Sequence, residues 1–96
     1  MYGTVAKMRL KPGMEQKLIE ELKAFESVKV PGFVRSVIYR LDAGANDYMM
    51  AVVFETKAAY SANAASPAQD ARYQRMRALI ESDPEWYDGE IVYGAS

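Results

Sequence analysis

The sequence predicts an α+β domain: a four-stranded antiparallel sheet carrying its helices on one face. Two observations point there. Segments with strand-like alternation and segments with helical periodicity follow one another in the order β-α-β-β-α-β. The two middle strands are joined by a short cluster of small and Asx residues, Ala43-Gly44-Ala45-Asn46-Asp47, which makes them a hairpin. A third observation extends the prediction beyond one chain, because both faces of those middle strands are apolar.

Residues 2–10 alternate, with Tyr2, Thr4, Ala6, Met8 and Leu10 on one face and Gly3, Val5, Lys7 and Arg9 on the other, until Lys11-Pro12-Gly13 turns the chain. Met14, Leu18, Leu22 and Phe25 then recur at steps of four, four and three, predicting a helix from about Gly13 to Ser27, with Glu15, Glu20, Glu21 and Lys23 on its wet face. Pro31-Gly32 leads into a strand over Phe33 to Leu41, and the hairpin returns as Tyr48 to Glu55. Thr56 is placed to cap a short helix through Asn63. Ser66-Pro67-Ala68-Gln69 starts another as a capping box with proline at the first helical position. Tyr73, Met76, Leu79 and Ile80 form its apolar stripe, Ser82-Asp83-Pro84 stops it, and Trp86 to Tyr93 reads as the last strand.

A sheet covered on one side alternates apolar and polar residues. Here Tyr48, Met50, Val52 and Phe54 fill one face of the third strand while Met49, Ala51 and Val53 fill the other, and the second strand sets Phe33, Val37, Tyr39 and Leu41 against Val34 and Ile38. Helices cover one face. The simplest cover for the other is a second copy of the same sheet, giving a homodimer through the sheet face.

The 96 residues suit a single domain, 1–96. A net charge of −1, with 12 basic and 13 acidic residues in no block, argues against a nucleic-acid partner and against an electrostatic membrane anchor. There is no cysteine, so disulfides, thiolate nucleophiles, iron–sulfur clusters and cysteine-type zinc sites are excluded. There is no histidine, which removes the commonest general base, metal ligand and haem ligand. No metal site is expected. No run approaches the roughly 20 apolar residues of a membrane span, and no signal peptide is read, so the expected location is the cytoplasm.

Pro31-Gly32-Phe33, the Val53-Phe54-Glu55-Thr56 strand end, the Ala59-Tyr60 and Ala62-Asn63 steps of the broken helix, and the closing strand from Trp86 to Val92 together resemble the antibiotic biosynthesis monooxygenase family. The resemblance covers nearly the whole chain. It implies a ferredoxin-like fold assembled as a dimeric α/β barrel, with a pocket in each subunit between sheet and helices. It also implies oxygenase chemistry without a cofactor, since members include oxygenases of anthrones and quinols. Haem-degrading members hold iron with a histidine, which this chain lacks. Anthrone-oxidising members carry an asparagine on the broken helix and a tyrosine ten residues later, a spacing that Asn63 and Tyr73 reproduce. Those members place a tryptophan four residues after the asparagine, where this chain has Pro67, and use a C-terminal arginine with no evident equivalent here.

The candidate catalytic residues are therefore Asn63, an amide donor to a developing oxyanion, and Tyr73, a hydroxyl donor or proton relay. Trp86, Tyr60, Met76 and Phe54 are candidates to line a substrate pocket for a flat aromatic. Each has a plainer role: Asn63 as a helix C-cap, Tyr73 and Trp86 as core packing. Two functions stay open, a cofactor-independent monooxygenase of a quinol or anthrone-like aromatic, and a non-catalytic dimeric module binding a small hydrophobic ligand. Isomerisation or decarboxylation with Glu55 or Glu90 as base is a third. An RNA-recognition domain lacks its basic-glycine start before the third strand, and a ferredoxin lacks its cysteines.

Overall fold

A computed structural model describes residues 1–94; Ala95 and Ser96, the end of the expected 1–96 domain, lie outside the described residues. Seven elements follow in order: β1 (Tyr2–Arg9), α1 (Glu15–Val28), β2 (Phe33–Arg40), β3 (Asp47–Phe54), α2 (Lys57–Ala64), α3 (Pro67–Arg77) and β4 (Glu85–Glu90). The strands form one antiparallel sheet in the order β2-β3-β1-β4. This is the expected ferredoxin-like α+β arrangement, with the second helix in two pieces.

The pairing register assigns the faces. Ala6 stands opposite both Met50 and Trp86, and Thr4 opposite both Val52 and Asp88. Side chains alternate along a strand and paired residues share a face. Even-numbered residues of β1, β3 and β4 therefore point to the helices. Their core is Ala6, Met8, Tyr48 and Met50 packed with Leu10, Leu18, Met76 and Ile80.

Strand β2 departs from the alternation read in the sequence. Phe33 pairs with Phe54 but Arg35 pairs with Val53, so Val34 is an extra residue. Such a bulge shifts the parity of everything on one side of it. Phe33 thus lies on the helix-covered face with Ser36 and Ile38, whereas Val37 and Tyr39 lie on the open face, and the grouping of Phe33 with Val37, Tyr39 and Leu41 is corrected.

Two boundaries also shift for physical reasons. Gly13 has φ +79°, a left-handed turn conformation, so α1 starts at Glu15 rather than at Gly13. Strand β4 stops at Glu90 instead of Tyr93 because its partner β1 begins at Tyr2, which pairs with Glu90. After a last link from Ile91 N–H to Met1 O at 2.9 Å, the apolar Ile91-Val92-Tyr93 run pairs with no strand among the described residues.

Both predicted caps form. Thr56 Oγ1 accepts from Ala59 N–H at 3.0 Å, and Ser66 Oγ accepts from Gln69 N–H at 3.0 Å. Gly32 fixes where α2 sits: its φ is +80°, and a Cβ there would stand 2.5 Å from Ala59 Cβ. The chain can enter β2 this close to α2 only without a side chain. At the far end of the sheet, Glu15 accepts from Arg40 Nε at 2.6 Å and from Tyr48 Oη at 2.8 Å, tying α1 to β2 and β3. Among the described residues no helix is long and apolar enough to cross a membrane.

Candidate functional site

A cavity of about 490 Å³ opens between the covered face of the sheet and the helices. Its floor comes from β1, β3 and β4, including Thr4, Met50, Phe54, Trp86 and Asp88, and its walls from α1, α2 and α3. All six residues singled out in the sequence, Asn63, Tyr73, Trp86, Tyr60, Met76 and Phe54, line it. Neither Glu55 nor Glu90 does; the lining carboxylates are Glu21, Asp70 and Asp88.

The lining aromatics Phe25, Phe54 and Tyr60 belong to a chain of ring contacts completed by Phe33 and Tyr2 behind the cavity wall. Phe25 meets Phe33 with ring centroids 4.9 Å apart, Phe33 meets Phe54 at 5.8 Å, Phe54 meets Tyr60 at 5.6 Å and Tyr60 meets Tyr2 at 5.3 Å. The three Phe-containing contacts are edge-to-face, the favoured aromatic geometry. Tyr73 and Trp86 form a separate pair at 6.4 Å. Phe54 and Met76 are buried, so they are walls set in the core, while Trp86 remains 42% exposed at the cavity edge.

Asn63 is not the cap of α2. The cap position is Ala65, and the main chain of Asn63 accepts from Ser66 N–H at 3.0 Å. Its side chain instead meets Arg72, whose Nη2 donates to Asn63 Oδ1 at 3.3 Å. Arg72 Nε also donates to Gln69 Oε1 at 2.9 Å, and its guanidinium lies 5.1 Å over the Phe25 ring. The capping box is consequently half made. The Gln69 backbone N–H donates to Ser66 Oγ, but its side chain turns to Arg72 rather than back to the cap.

A guanidinium has only donors, so it fixes which end of each carboxamide faces it. With Oδ1 of Asn63 held by Arg72, the amide N–H₂ points away from the arginine, and among the described residues it has no other partner. Arg72 itself has no carboxylate partner there, unlike Arg9, Arg40, Arg75 and Arg77. Arg72 was not among the site residues read from the sequence, where the basic residues form no block. The signal that could have found it is its spacing, three residues after Gln69 and nine after Asn63, which brings two carboxamides within reach of one guanidinium.

A second polar group lies on the floor. Tyr60 Oη donates to Asp88 Oδ1 at 3.0 Å. Burial and the Asp88 carboxylate push the Tyr60 phenol up to about 12; the adjacent Thr4 hydroxyl acts in the opposite sense, though no hydrogen bond joins the two hydroxyls. Tyr60 therefore stays protonated and a donor across the ordinary pH range. Among the described residues, no cluster of three or more acidic side chains is placed to hold a metal ion.

The comparisons with known proteins follow this geometry. The sequence profile of the antibiotic biosynthesis monooxygenase family matches residues 1–75. No curated protein matches the sequence. Among solved structures, an asparagine-to-alanine mutant of SnoaB, a cofactor-independent oxygenase from Streptomyces nogalater, superposes with a TM-score of 0.80 at 20% identity, over 97% of this chain and 94% of that one. A candidate monooxygenase of the same family from Deinococcus radiodurans gives 0.78 at 10% identity, over 100% and 97%. Another from Chloroflexus aurantiacus gives 0.76 at 22%, over 99% and 96%. At these identities the likeness establishes the fold alone.

Proposed function

This chain belongs to the antibiotic biosynthesis monooxygenase family, and we propose that it is a cytoplasmic, cofactor-independent monooxygenase acting on an electron-rich aromatic such as a quinol or an anthrone-like compound. The observation that carries the reading is the Asn63 amide, presented in an aromatic-walled cavity with its oxygen fixed by Arg72. The fold neighbour SnoaB, a cofactor-independent oxygenase, supports the same reading.

In an anthrone-like substrate, loss of a proton from the ring methylene leaves an electron-rich anion. That anion reduces dioxygen and forms a carbon–oxygen bond, giving a peroxide. Protonation of the peroxide and loss of water leave a carbonyl. One oxygen atom ends in the product and one in water, and all four electrons that reduce the dioxygen come from the methylene carbon of the substrate. The Asn63 N–H₂ would stabilise the anion as its charge gathers on oxygen, with the positive field of Arg72 behind it. The Tyr73 hydroxyl would donate to the peroxide. Tyr60, Phe54, Met76 and Trp86 would hold the ring and keep water from it.

We further propose that the chain works as a homodimer through the open face of the sheet. Val5, Tyr39 and Tyr87 are exposed there at 40%, 56% and 60%, beside Val37, Met49, Ala51 and Val53. A contiguous apolar face of this kind is usually covered.

Oxygen uptake with a panel of dihydroquinones and anthrones tests the activity, using the native protein beside Asn63→Ala and Tyr73→Phe. Uptake above the uncatalysed rate that falls by about 10²-fold in Asn63→Ala is expected, the scale of losing one oxyanion donor. Equal rates in all three proteins would instead favour the non-catalytic module that binds a small hydrophobic ligand.

A further inference from the structure

Thr4 is 5% exposed, and its hydroxyl is the one buried side-chain polar atom among the described residues without a hydrogen-bond partner. A buried hydroxyl left unpaired destabilises a fold, and most such groups find a partner. Thr4 lies on the cavity floor. Directly across the β1–β4 ladder is Asp88, on the same face, and it lines the cavity too. Asp88 has no basic partner among the described residues, and of its carboxylate oxygens only Oδ1 is engaged, by the Tyr60 hydroxyl at 3.0 Å. Asp88 is exposed and water can reach its free oxygen, but the Thr4 hydroxyl beside it is buried and unpaired, and a ligand hydroxyl in the cavity would meet both groups at once.

We propose that Thr4 and Asp88 form a hydroxyl-recognition subsite, so that the ligand of this cavity is an aromatic carrying a free hydroxyl that donates to Asp88 and accepts from Thr4. The subsite complements the group on the helices. Arg72 and the Asn63 amide present only donors and suit an oxygen bearing negative charge, whereas Asp88 presents only an acceptor. A ligand that matches both has one oxygen able to ionise and a second that keeps its proton, as the monoanion of a dihydroxyarene does. Tyr60 holds the carboxylate in place, and its single proton is already committed to Oδ1, which leaves Oδ2 for the ligand. This inference rests on the same cavity being the reaction site, yet it concerns binding and can be tested without turnover.

The test is calorimetric titration of the intact protein under nitrogen with 1,4-dihydroxynaphthalene, its monomethyl ether and its dimethyl ether. The native protein is expected to bind the two hydroxyl-bearing compounds on the order of tenfold or more tighter than the dimethyl ether, the effect of one hydrogen bond to a charged group. Thr4→Val and Asp88→Asn should each shrink that preference to within about threefold. Thr4→Val should also keep or raise the thermal midpoint, because it replaces an unpaired hydroxyl with a methyl of the same shape; that separates a binding role from a folding one. Equal affinity for all three compounds, no binding of any, or a preference that survives both substitutions would overturn the subsite. A preference that depends on Thr4 and Asp88, found in a protein that consumes no oxygen, would leave the subsite standing and sink the oxygenase reading instead.

Discussion

The two faces of the sheet are built from the same strands and do different work. Apart from the bulge-shifted Phe33, the covered face takes the even-numbered positions, and there the apolar side chains are interrupted by polar ones that include Thr4, Ser36, Arg40, Tyr48 and Asp88. The open face takes the odd-numbered positions, where Val5, Val37, Met49, Ala51 and Val53 form an apolar centre and Lys7, Arg9, Arg35 and Glu85 are charged. Polar groups inside the covered face are costly unless paired or used. On the covered face Thr4 and Asp88 line the cavity, whereas the charges of the open face lie on the side away from it, which fits the proposed division of ligand binding on one face and assembly on the other. Strand parity keeps the two apart, since a substitution at one position reaches only one face.

The comparison breaks most visibly at Phe54, which is 1% exposed and touches both Phe33 and Tyr60. Phe54→Ala should lower stability by about 3–5 kcal/mol in denaturant unfolding, because a buried aromatic leaves a cavity its neighbours fill incompletely. On the open face the effect should fall on association. Val53→Lys places a charge in the middle of the proposed interface and should weaken a dimer by about 3 kcal/mol or more, read by sedimentation at micromolar concentration. Ligand affinity of the folded chain should change little. A Val53→Lys protein that sediments like the native one would show that the open face is not where copies meet.

Within the covered face, Arg72 sharpens the contrast between holding the fold and orienting the site. It lies half-buried over Phe25 with no carboxylate partner, so Arg72→Leu should cost no more than about 1 kcal/mol of stability. It also frees the Asn63 amide to rotate. The oxygenase rate should therefore drop by roughly tenfold with little change in KM, and Arg72→Lys should not restore it, because an ammonium cannot hold two carboxamides in one plane. Full activity in Arg72→Lys would show that charge alone suffices.

How legible this was depended on the range of the interactions. Element order and both N-terminal helix caps could be read locally, since periodicity and cap chemistry span only a few positions, while the six cavity residues were proposed on the family resemblance. The bulge at Val34 was not legible: the residues on either side are ordinary strand formers, and the extra residue exists only relative to β3. The end of β4 was missed for a similar reason, as Ile91-Val92-Tyr93 has strand composition but lies beyond the start of β1. Thr4 and Asp88 are 84 positions apart in sequence and meet only through the sheet register. Gln69 was read as part of a capping box, and nothing local marks that its side chain is drawn to Arg72. The sequence thus pointed to Asn63, Tyr60, Tyr73 and the apolar walls, while the pairing of Thr4 with Asp88 emerges only from the sheet register.

The smallest expected effect lies at the far end of the covered face, where Glu15 joins Arg40 and Tyr48 away from the cavity. Hydrogen bonds from Arg40 and Tyr48 hold the Glu15 carboxyl down at about 2, against an ordinary 4.5. A carboxyl lowered in the folded state stabilises the fold above its unfolded value and loses that contribution as pH falls through the folded one. The tie should thus be fully present above about 4.5 and fade towards about 2. The Arg40 side chain is exposed and that of Glu15 partly so, and water and salt therefore screen the ion pair and keep its contribution at neutral pH small. Thermal midpoints of the native protein and Glu15→Gln should differ slightly and by a constant amount at neutral pH, then converge as the pH falls from 4.5 towards 2. A gap that persists at pH 2 would mean that Glu15 acts by packing rather than by charge. Binding of 1,4-dihydroxynaphthalene should be the same in both proteins at neutral pH, because Glu15 anchors α1 to the sheet without lining the cavity.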